Sequence, residues 1–232
     1  MKRNLGSLLR LCVSVAASLL VFAGTALAGP PLICHSIDIG AAQSLPWTST
    51  GWNLTGNEKY DTTHLVADTL ALLNPSTPVL VRMETLRRAT LYAQQTPPIQ
   101  KELLVKLEGR AHDNPKDALA AFDFGYLVES YKQASWLHQH TDWLKTSSEA
   151  QRAGSNPAMN ADGYGWVKKA IELQGADPEM EFAAALIASS AANNEKERDA
   201  HLERAREGEK SNSLLAHNLE ARFPGKVAKV RQ

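Results

Sequence analysis

Residues 115–131 read PKDALAAFDFGYLVESY, and the fold turns on this stretch. Leu119, Ala121, Phe122, Phe124, Tyr126, Leu127, Val128 and Tyr131 leave a helix of this sequence almost no polar face. A helix that is apolar all round has to be enclosed by other helices. Asp113, Asn114 and Pro115 supply the stop and start before it. One residue breaks the pattern: Asp123, set between Phe122 and Phe124. A carboxylate taken out of water without a partner is costly, so the sequence requires either a thin solvent edge there or an internal pair with Arg82 or Arg87. Asp123 is also a candidate ligand-binding residue, or an acid for a cell-envelope hydrolase, should a cleft reach it.

Working outward, the flanking sequence is helical on both sides. Asp61 or Thr62 caps a helix with Leu65, Val66, Thr69, Leu70 and Leu73 on one face, and Asn74-Pro75 ends it. A second helix over about 78–94 places Val79, Met83, Leu86 and Ala93 on its inner side. Pro97 and Pro98 open a third, with Ile99, Leu103, Leu107 and Ala111 at four-residue steps. Residues 135–163 lose that regularity, and 154–163 read as a loop rich in Gly, Asn and Pro. Helices resume over about 166–173, 178–192, 195–209 and 213–222. No run alternates apolar and polar residues in this part, which excludes a substantial sheet. The fold class is all-α, built from antiparallel helical hairpins.

Ala170-Ile171-Glu172-Leu173 followed by Asp177-Pro178 resembles the end of a tetratricopeptide-type repeat, and Phe182, Ala185, Leu202 and Ala205 are spaced as that family spaces its packing positions. The resemblance covers mainly residues 164–210. Three extra residues stand between Leu173 and Asp177, and Leu186 and Arg198 occupy places where small residues belong. The spacing of Pro78, Pro115 and Pro178 also departs from a period of roughly 34 residues. The alternative within the same class is an irregular helical bundle. The resemblance implies a concave surface that holds a peptide or a partner protein, and it implies no catalysis.

Four segments follow. Lys2, Arg3 and Arg10 precede an apolar run over 11–23 and the small-x-small triplet Ala26-Leu27-Ala28, the pattern of a signal peptide over 1–28. The run is shorter than the ~20 apolar residues a membrane span needs, and Gly29-Pro30-Pro31 ends it, so no stable span is expected after cleavage. The protein is then periplasmic or secreted. Residues 29–60 hold three prolines and four glycines without helical period, yet Leu32, Ile33, Ile37, Ile39, Leu45, Trp47, Trp52 and Leu54 are too apolar for a solvated tail. They read as an extended arm packed on the helices. Residues 61–225 form the helical domain and 226–232 a basic tail.

Without residues 1–28 the chain has 22 basic and 25 acidic residues, and its arginines are interleaved with apolar helix positions. There is no basic stripe for nucleic acid. A single cysteine, Cys34, remains after cleavage, so packing and not an internal disulfide must stabilise the domain. Cys34-His35 is the one local pair that suggests a cofactor, a metal or a haem, although the first cysteine of a Cys-x-x-Cys-His attachment is Pro31 here, and His138-x-His140 has metal-ligand spacing only on a strand, since on a helix its two imidazoles point apart. The competing reading makes Cys34 a small hydrophobe beside Leu32 and Ile33. Trp47 and Trp52 are candidates for an aromatic ligand platform, or for anchoring the arm. No Gly-x-Ser-x-Gly, His-Glu-x-x-His, phosphate-binding glycine loop or Cys-x-x-Cys is present, and no motif requires a cofactor. The expectation is an exported helical interaction protein with a protein or peptide partner.

Overall fold

The computed structural model describes residues 30–48, 54, 56–94, 96–140, 156, 158–190 and 194–224. The segments 1–28 and 226–232, and Trp52, lie outside them. Among the described residues the chain is all helical, without a strand. A 3₁₀ turn (Thr62–His64) leads into α1 (Leu65–Leu72), followed by α2 (Val79–Ala93), α3 (Pro97–Asp113), α4 (Ala118–His140), α5 (Gly163–Gln174), α6 (Pro178–Ser189), α7 (Glu195–Glu207) and α8 (Ser213–Arg222).

The helix starts have local causes. Asp61 accepts from Thr63 N, Asp162 from Gly165 N, Asp177 from Glu179 N and Met180 N, and Asn212 from Leu215 N, each filling donors that the first turn leaves open. Pro178 follows Asp177 at a position where a missing N–H costs nothing. Gly175 ends α5 in the left-handed region at φ +79°, which glycine adopts without strain.

α4 is the axis, packed against α2, α3, α5 and α6. Phe122, Tyr126, Leu127, Val128 and Tyr131 on it are completely enclosed. Its crossing with α5 is backbone on backbone. A Cβ on Gly125 would stand 2.6 Å from Gly163 O, and one on Gly163 would stand 2.6 Å from Gly125 O. The helix runs on to His140, through the segment whose sequence reads as irregular, because Ala134 and Leu137 continue the buried stripe. In the 164–210 region α6 and α7 lie along one another, and Phe182, Ala185, Leu202 and Ala205 are all buried.

α2 differs from its sequence expectation of one inner side, since all of its residues except Arg88 are buried. The second face is covered by the arm. Residues 30–48 contain no helix, yet Leu32, Ile33, Cys34, Ile37, Ile39 and Leu45 are buried. Irregular backbone taken out of water needs hydrogen-bond partners that no ladder supplies. Side chains of the helices provide them. Gln133 Oε1 accepts from Leu32 N at 2.8 Å, Glu84 Oε2 from Ile37 N at 2.9 Å, and Asn218 pairs with both the N–H and the C=O of Asp38. Arg87 donates to Ile33 O, Arg88 to Leu45 O, Tyr92 to Pro46 O and Arg222 to Pro31 O. The arm is thereby fastened to α2, α4 and α8 at once.

Candidate functional site

Where the arm enters the fold, a groove of about 460 Å³ opens between Pro30, Pro31, the last turns of α4, Met159 and the end of α6. Its size is that of an ordinary ligand cleft. Trp136 on α4 is 50 % exposed and Met159 52 %, which sets two large apolar side chains at its edge. Trp136 is held in place by a ring stack on His140 at 4.2 Å. Buried Ala134 and Leu137 fix the helix that presents it.

The polar groups of the groove are nearly all engaged. Lys132 Nζ is 2.8 Å from Glu129 Oε1, which also accepts from Tyr164 N, so the two charges cancel locally. Ser189 and Ser190 donate back to the carbonyls of Ala185 and Ile187. Asn156 Nδ2 reaches Ser135 Oγ at 2.6 Å. Gln133 is different. Leu32 N–H can only donate, which fixes the Gln133 oxygen toward the arm and its amide nitrogen away from it. That Nε2 is buried and has no partner among the described residues. Leaving such a donor unmatched costs about 1–3 kcal/mol.

The sequence candidates fall elsewhere. Trp47 lies at a second, polar cleft of about 420 Å³ with Asp38, Glu84, Arg87, Arg88, His217 and Asn218. Its ring sits over the Arg87 and Arg88 guanidiniums at 5.2 and 5.9 Å and edge-on to Tyr92. Those contacts are anchoring contacts for the arm. Both arginines are already committed to Glu84 and to arm carbonyls. Cys34 is a buried free thiol, and burial pushes it up from the ordinary thiol range against the pull of Arg87 and Arg222. His35 beside it is partly buried. Among the described residues no three His, Cys, Asp or Glu side chains gather as metal ligands would.

Asp123 is fully enclosed, with Arg82 Nη1 at 2.6 Å from its Oδ2, and it faces neither cleft. Arg82 also donates to Thr77 O and Asn74 O, tying the α1–α2 turn to α4. Burial raises Asp123 to about 6 in spite of that guanidinium, and its Oδ1 has no partner among the described residues. Among the described residues the structure therefore does not bring the sequence candidates together. Gln133, Trp136 and Met159 carry the groove, and the sequence offers only one sign of them, the step from Asp123 through Tyr126 and Ser130 to Gln133 along one helix face. Comparison with protein-family models, curated proteins and solved structures gives no match. Among the described residues no helix is long and apolar enough to cross a membrane.

Proposed function

We propose that the chain is an exported helical interaction protein that binds a protein or peptide partner at the groove where the arm meets α4 and α6. The observation that carries this reading is the pair Trp136 and Met159, two large apolar side chains left half in water at the edge of one cleft. Exposed apolar side chains rimmed by polar groups mark interaction sites. The leader pattern over 1–28 supports export, and the paired helices α6 and α7 are compatible with the tetratricopeptide resemblance of 164–210. Cofactor binding at Cys34 and His35 has less support, since the thiol form is favoured there and the thiolate is the metal ligand. Hydrolysis at Asp123 has less support still, because no cleft reaches it.

A photo-reactive residue placed at Trp136 or Met159 tests the reading in intact cells, with Val105 on α3, 53 % exposed, as the control. A discrete adduct at 136 and 159 and none at 105 is the expected result. Equal labelling at all three positions, or none, overturns the assignment.

A further inference from the structure

A cluster of ionisable side chains outside both clefts joins α5, α6 and α7. His201 of α7, itself buried, is the middle of it. Its Nε2 is 2.8 Å from the Tyr164 hydroxyl of α5, and its Nδ1 meets Glu181 Oε2 of α6. Glu181, 2 % exposed, is held at its other oxygen by Arg204 Nε at 2.6 Å, and Arg204 Nη2 comes within 2.7 Å of the same Nδ1. Glu197 shares the Tyr164 hydroxyl, and Lys168 Nζ covers the phenol ring at 4.5 Å. The groups that face His201 are therefore Tyr164 and Lys168 from α5, Glu181 from α6, and Glu197 and Arg204 from α7.

Counting hydrogens gives this cluster two states. A tyrosine hydroxyl has one hydrogen; given to the Glu197 carboxylate, it leaves a lone pair toward His201, so Nε2 carries a hydrogen in both states. Nδ1 has two rival partners. The Glu181 carboxylate can only accept and requires a hydrogen on Nδ1, whereas the Arg204 guanidinium can only donate and requires a lone pair there. With the hydrogen, His201 is an imidazolium bonded across to α6. Without it, Nδ1 turns to Arg204 on its own helix, and a buried carboxylate oxygen loses a donor. α7 depends on the first state, because only His201, Leu202 and Ala205 of its 13 residues are buried.

We infer that the cluster is a pH-sensitive latch, in which the hydrogen on His201 Nδ1 fastens α7 to α6 and its loss as pH rises lets α7 open locally. This device is separate from the interaction role proposed above and does not depend on it.

The test is made on the full chain by NMR of nitrogen-labelled histidine and by amide hydrogen exchange, between about pH 5 and about pH 8, where imidazoles titrate. Below the His201 transition both of its ring nitrogens should carry hydrogen, and above it Nε2 alone. Protection of the α7 amides should fall about tenfold or more across that transition, with α4 unchanged. Glu181→Gln, whose amide can donate to a bare Nδ1, should make α7 protection independent of pH, whereas His217→Gln, at the exposed pair with Asp38, should leave the profile as it is. Should Glu181→Gln not fold, Arg204→Met decides: by removing the rival partner of Nδ1 it must move the transition to higher pH. A neutral ring protonated at Nδ1, α7 protection in the wild type that ignores pH, α4 opening together with α7, a Glu181→Gln profile like that of the wild type, or an Arg204→Met transition that does not rise overturns the inference.

Discussion

Helices α2 and α4 are both buried on nearly every side, yet they reach that state by opposite routes. α4 is enclosed mainly by four helices, whose backbone groups are satisfied internally, so apolar side chains and one glycine contact cover most of it, and Gln133 near its end meets the arm. α2 is enclosed partly by helices and partly by the arm, whose irregular backbone arrives with unmatched N–H and C=O groups. Burial against helices selects Phe, Leu and Val. Burial against irregular chain selects hydrogen-bonding side chains, here Glu84, Arg87, Arg88 and Tyr92 on α2 and Gln133 on α4. The difference teaches that the polarity of a helix does not by itself report its exposure; it reports what lies on top of it.

The largest expected effect breaks the α2 side. Glu84 is fully buried and serves Arg87, Arg88 and Ile37 N together. Glu84→Ala should cost about 3–5 kcal/mol, since it strands buried guanidinium charge, and urea unfolding would show it as a lowered midpoint. Glu84→Gln, which keeps the acceptor for Ile37 N, should cost less. Equal losses for the two would mean that charge neutralisation alone is what α2 needs from this residue.

The α4 side breaks by volume. Gly125→Ala puts a methyl group against the α5 backbone, which cannot rotate away, and should cost about 3 kcal/mol. Thermal unfolding checks it, and an unchanged midpoint would show that the α4–α5 crossing opens without penalty.

The Arg82–Asp123 pair joins the two helices and gives the pH dependence its sign. The folded-state value of Asp123, about 6, lies above its ordinary value of 3.8. Between these values the folded chain holds a proton that the unfolded chain has released. This contribution is therefore fully present below about pH 4 and is lost as pH rises through 6. It amounts to at most about 3 kcal/mol, from 1.36 kcal/mol for each pH unit. Urea midpoints measured between pH 4 and 7 should move apart for the wild type and Asp123→Asn, with the wild type gaining relative stability toward acid. Parallel curves would refute the assignment.

The smallest effect sharpens the comparison. Tyr126 and Ser130 on α4 are enclosed and their hydroxyls lack partners among the described residues, unlike Tyr92 on α2, whose hydroxyl serves Pro46 O and Asn57 N. Tyr126→Phe should be neutral or stabilising by up to about 1 kcal/mol, whereas Tyr92→Phe should destabilise by about 1 kcal/mol or more. Calorimetry on both resolves the sign.

The same contrast explains what the sequence discloses. α4 is legible because its apolar content admits no other environment, and the starts of α3, α6 and α8 are legible because Pro97, Asp177-Pro178 and Asn212 act locally. The enclosure of α2 is not legible, since Glu84, Arg87 and Arg88 look like solvent residues until the arm is laid on them. The groove is hidden for a similar reason. Trp136 reads like any core aromatic, and the amide of Gln133 acquires meaning only when Leu32 N–H, 101 positions away in sequence, claims its oxygen.

The bond from Arg222 to Pro31, between residues 191 positions apart, has a kinetic meaning. Helical hairpins close over short loops and form early, whereas closing a loop of this length is slow and is rewarded only after both ends exist. The arm can therefore seat on α2, some 43–54 positions away, long before its contact with α8 at Pro31 closes.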